Sequence, residues 1–104
     1  MQTKKINIQV IDLKKRYVVE RTQILRCIDR AKKEGGDILT GGKRLVLDGK
    51  LKDGYYIEPT IIDGLSVEAQ TNQEEIFGPV VSMIPFKKEE DVIDMANSTK
   101  YGLS

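Results

Sequence analysis

The run Val80 to Phe86 (VVSMIPF) is apolar throughout except for Ser82. A strand written this way expects apolar neighbours on both faces, as strands of a covered parallel sheet do. It therefore asks for helices packed against a sheet, and the flanking sequence supplies them. Glu89, Glu90 and Asp91 open a helix predicted to run to about Asn97, with acids at the positive end of its dipole. Upstream, the stretch from about Lys14 to Glu34 places Ile24, Leu25, Ile28 and Ala31 on one helical face. Lys32 and Lys33 suit its last turn, and Gly35-Gly36 stops it.

Further strands are read at Ile6 to Val10, where apolar and polar residues alternate, at Asp37 to Thr40 and at Leu45 to Leu47. Tyr56 to Ile62 reads as extended, with Pro59 at an edge or a strand's beginning. Ser66 is predicted to cap one helical turn through Ala69. The expected fold class is α/β, a mainly parallel sheet flanked by helices, in a single domain spanning 1–104.

The chain has no histidine and one cysteine. That composition removes histidine-based nucleophile pairs, histidine-ligated zinc and internal disulfides, and no metal site is expected. Seventeen Lys and Arg against 16 Asp and Glu leave a formal net charge of +1, which attracts neither nucleic acid nor an anionic membrane. No apolar run is long enough to span a bilayer, and a cytoplasmic setting is expected. Cys27, in RCID on the first helix, reads as a small core residue. Gly41-Gly42-Lys43 lacks the earlier glycine of a phosphate loop and reads as a plain turn.

The segment Gln73 to Val80 (QEEIFGPV) concentrates the chemistry. A carboxylate can accept from both hydroxyls of a ribose, and a phenyl ring packs on a flat heterocycle. Adjacent carboxylates point apart in an extended chain, so Glu74 and Glu75 do not form an acid–base dyad. On spacing alone, an ordinary polar turn whose phenylalanine fills the core is the better reading of the segment.

Five blocks, in order, change that balance: AKKEGGDILTGGK (Ala31 to Lys43), GYYIEPTI (Gly54 to Ile61), EEIFGPV (Glu74 to Val80), Pro85-Phe86, and the EE…AN…YGL series ending at Leu103. Together they resemble the C-terminal part of the catalytic domain of the NAD(P)-dependent aldehyde dehydrogenase superfamily. The resemblance covers 21–104 and leaves 1–20 unmatched, so the chain reads as a fragment. It implies that Glu75 holds the nicotinamide-side ribose of NAD or NADP and that Phe77 abuts the cofactor. It also implies the family reaction, in which an aldehyde is oxidised to a carboxylic acid after attack by a cysteine.

Cys27 does not stand in the family's GQxC-like context, and Glu34-Gly35-Gly36 ends a helix instead of forming the general-base ELGG-like motif. No catalytic residue is therefore assigned, and no dinucleotide-binding GxGxxG turn is present in the sequence. The chain alone is expected to be inactive, to bind no cofactor and to meet an aldehyde substrate only within a full-length enzyme. A homo-oligomer is expected. The alternative is a non-catalytic, self-associating α/β module that keeps the motif only as scaffold.

Overall fold

The computed structural model describes residues 13–102, with side-chain surroundings from residue 22 onward. The predicted strand Ile6 to Val10 lies outside the described residues. In chain order the elements are α1 (Leu13–Lys33), β1 (Asp37–Thr40), β2 (Arg44–Leu45), β3 (Tyr56–Ile57), β4 (Thr60–Asp63), α2 (Gln70–Gln73), β5 (Val80–Met83) and α3 (Glu89–Ala96). A single 3-10 turn at Gly49–Leu51 lies between β2 and β3.

Helix α1 ends where its sequence stops it. Gly35 adopts the left-handed backbone, φ 94°, which costs glycine no Cβ clash. The Gly36 N–H then reaches back to the Ala31 carbonyl at 2.9 Å, closing the last turn. Ile28 and Ala31 are fully buried, as the spacing of the apolar positions predicts.

The main sheet has the order β1-β4-β5. Strands β4 and β5 pair in parallel, Thr60 opposite Val80 and Asp63 opposite Met83. Strand β1 runs antiparallel to β4, with an irregularity between Ile38 and Thr40. The α/β class holds, and the sheet is mixed where a mainly parallel one was expected. Strands β2 and β3 form a separate antiparallel pair between β1 and β4. The chain thus goes out and returns as a long ribbon, a connection that needs no crossover helix. Pro59 falls just before β4, outside the ladder it could not join.

The core lies on one face of the sheet. Ala31 of α1, Ile62 of β4 and Leu65 cluster there, with Ile38, Ala69 and Val80 packed around them. Thr60 is buried beside this core without loss, because its hydroxyl accepts from the Gly42 N–H and donates to the Glu58 carbonyl, both at 2.8 Å.

Two sequence expectations need correction. Strand β5 is not buried on both faces: Val81 is 59% and Met83 48% exposed. The helices described sit on the Ile62 side, and among the described residues the opposite side, with Leu39, remains open. The chain does turn at Ser66, where the Ala69 N–H donates to the Ser66 carbonyl at 3.1 Å, but the helix itself forms later, at Gln70–Gln73. Its N-cap position is Ala69, whose side chain caps nothing. The acceptor comes from Glu34 at the end of α1, which takes the Thr71 N–H at 3.3 Å.

Candidate functional site

The span around Glu75 and Phe77 is fastened at both ends. On its N-terminal side stands α2, a helix of one turn, too short to persist without tertiary support. Helix α1 supplies that support. The buried Thr71 hydroxyl donates to Glu34 Oε2 at 2.6 Å, and Arg30 Nη1 donates to Glu74 Oε2 at 2.8 Å. On the C-terminal side, Gly78 lies so close to Ile24 of α1 that an added Cβ would come within 2.6 Å of its Cδ1. The Pro79 carbonyl then accepts the Thr60 N–H at 2.8 Å and leads the chain into β5.

The two adjacent carboxylates have different surroundings. Glu74 leaves α2 in an extended conformation, φ −112° and ψ 146°. Its Oε1 accepts from Gln70 Nε2 at 2.6 Å while Oε2 takes Arg30, so both oxygens are engaged. The Gln70 amide, then the Arg30 guanidinium, and more weakly Lys100, hold its carboxyl below the usual value of 4.5. Glu75 is exposed, and its side chain makes no hydrogen bond or ion pair with the described residues. Its oxygens are free to accept. Phe77 is 83% exposed and does not fill the core, contrary to the reading of the segment as an ordinary turn.

A groove of about 430 Å³ opens beside Glu75, walled by Asn72 and Glu74 on one side and Asn97, Thr99 and Tyr101 on the other. Among the described residues there is no group of three or more histidine, cysteine or acidic side chains able to hold a metal, and no helix long and apolar enough to cross a membrane. Cys27 is half-buried on α1, 3.8 Å from Arg30 Nη2.

Sequence reasoning singled out Glu75 and Phe77 and missed the cluster that fastens the span holding them. Arg30 and Glu74 are 44 positions apart, and Glu34 and Thr71 are 37 apart. The only local signal was the outward-facing cation and anion at the end of α1.

This cluster makes the acid limb of stability measurable. The Thr71 hydroxyl chiefly, opposed by partial desolvation and aided by the Thr71 N–H and Arg30, lowers the Glu34 carboxyl below 4.5. A group whose folded value is depressed stabilises above its unfolded value, and the contribution fades as pH falls through the folded value. The melting temperature is therefore expected to drop as pH falls below about 4.5. Both carboxylates are largely solvated, so the drop should be modest. Thr71→Val, which keeps the buried shape and removes the donor, should flatten this limb. An unchanged limb in that variant would show that the cluster contributes nothing.

A model of the aldehyde dehydrogenase family matches residues 18–104. The chain is 55% identical over 80 residues to aldehyde dehydrogenase B of Escherichia coli (strain K12), covering 77% of this chain and 15% of that protein. A solved betaine aldehyde dehydrogenase from Staphylococcus aureus superposes with a TM-score of 0.74 at 43% identity, covering 82% of this chain and 17% of that one. An indole-3-acetaldehyde dehydrogenase complexed with NAD+ gives a TM-score of 0.75 at 38% identity, with the same two coverages. The chain spans about 15% of the length of the curated relatives it matches.

Proposed function

Since this chain belongs to the aldehyde dehydrogenase family, we propose that it serves as the part of such an enzyme that presents Glu75 and Phe77 to the nicotinamide-side ribose of NAD or NADP. The observation that carries the reading is an 83% exposed phenylalanine two residues from a carboxylate without a partner among the described residues, on a span fastened at both ends. A solvated phenyl ring on a tethered turn gains nothing for folding, and contact with a flat ring would bury it. Glu75 can accept from both ribose hydroxyls at once, because neither oxygen is committed to a described residue. The solved relative complexed with NAD+ agrees with this choice of cofactor. When bound, the nicotinamide supplies the hydride acceptor for oxidation of an aldehyde to an acid. The chain's own share is to grip and orient, and the single cysteine supports a cytoplasmic setting.

Isolated, the chain should neither turn over an aldehyde nor bind cofactor saturably at micromolar concentration. One ribose clamp cannot offset the translational and rotational freedom lost on binding. Cofactor reduction assays and calorimetry check both. Turnover by homogeneous protein that disappears with Cys27→Ala would overturn the assignment of Cys27 to packing.

A second reading, self-association, is favoured by the open side of the sheet. Leu39, Val81 and Met83 are each at least 48% exposed there, and such patches attract a second copy. Sedimentation is expected to give a dimer or larger assembly, weakened when residues 1–12 are removed. A monomer unaffected by concentration or by the deletion would contradict it.

A further inference from the structure

We infer that Arg30 is a positioning residue for the ribose carboxylate, acting on Glu75 through Glu74 and α2. The inference rests on the ribose reading of Glu75 and adds what holds that group in place.

Arg30, from α1, reaches both ends of α2. Its Nε lies 3.4 Å from Thr71 Oγ1 in the helical turn, and its Nη1 lies 2.8 Å from Glu74 Oε2 at the C-cap. A planar guanidinium makes both contacts with one rigid fork, which a flexible lysine does not reproduce. The Glu74 N–H also donates to the Gln70 carbonyl at 3.1 Å, so the peptide leading into Glu75 is held through backbone and side chain together. Beyond Phe77 the chain is fixed again by Gly78 against Ile24 and by Pro79 on Thr60. Residues 75–77 are thus suspended between two anchors, and Arg30 governs the first. The arrangement also separates the roles of the paired acids. Glu74, with both oxygens engaged, is the handle, and Glu75 is left free to accept.

The test is nitrogen-15 relaxation and carboxylate titration by NMR on the whole chain, without cofactor. In the parent, the amides of Glu75 and Phe77 should show order parameters near the rigid value of about 0.85. Arg30→Met and, independently, Glu74→Gln should lower both to about 0.6 or less. Should the first variant fold poorly, the second still decides. Arg30→Lys should restore the lowered titration of Glu74 and recover the order only in part, because the fork to Thr71 is gone. With Glu75→Gln as background, the Phe77 order should fall with acid at the midpoint of Glu74. The other charged groups to be followed are Arg30 and Glu34 from α1 and Lys100 beyond α3. Unchanged order at Glu75 and Phe77 in both variants would overturn the inference and reduce the contact to a surface ion pair. No readout uses a cofactor, so that failure would leave the ribose reading intact, and loss of the ribose reading would leave these measurements intact.

Discussion

Ile62→Ala should cost about 2–5 kcal/mol of folding stability, the range for truncating a fully buried branched side chain. Ile62 is 0% exposed, lies on the central strand and joins Ala31 of α1 to Leu65. The buried apolar side chains among the described residues are few, Ile28, Ala31, Ile62 and Leu65. A loss of this size is a large share of the roughly 5–15 kcal/mol that holds an ordinary domain together. Urea titration should show a much lower midpoint, and Ile62→Val, which removes one methylene, should cost only about 0.5–1.5 kcal/mol. A loss below about 1 kcal/mol for the alanine variant would place the cohesive core elsewhere.

The elements that announced themselves locally were read well, and those that depend on distant partners were not. Helix α1 was legible because Ile24, Leu25, Ile28 and Ala31 share a face and Gly35 permits the stop. Helix α3 was legible from its acidic first turn. The helical turn seen at Gln70–Gln73 was displaced because its cap acceptor is Glu34, just past the end of α1. Val80 to Phe86 states what the strand prefers as neighbours, and its composition cannot say whether this chain provides them. Here one side of β5 is left with Val81 and Met83 exposed.

The site divides in the same way. Glu75 and Phe77 could be named because a short motif carries both, and a family resemblance gave that motif a role. Their exposure could not be read, since a phenylalanine before Gly-Pro is equally at home in a core. Arg30 was invisible as a partner of Glu74, for a contact across 44 positions leaves no periodic trace. Packing put it there, through the burial of Ile28 and Ala31 that sets how α1 lies on the sheet.

The second large effect concerns Glu75. Hydrogen bonds to a charged group contribute about 1.5–3 kcal/mol. Removing the Glu75 charge from a complete enzyme should therefore lower kcat/KM for the cofactor about ten- to hundredfold. The loss should fall on cofactor use, because Glu75 is proposed to touch ribose and not the aldehyde. The direct measurement is a chimera in which residues 18–104 replace the corresponding segment of E. coli aldehyde dehydrogenase B, whose 55% identity over 80 residues should let the surrounding elements pack. Steady-state kinetics on the chimera should show aldehyde-dependent reduction of a nicotinamide cofactor. Glu75→Gln should reduce it by that factor, and the exposed Glu89→Gln on α3 should leave it unchanged. A folded chimera whose Glu75→Gln variant keeps full cofactor kinetics would contradict the assignment of the ribose contact to this chain.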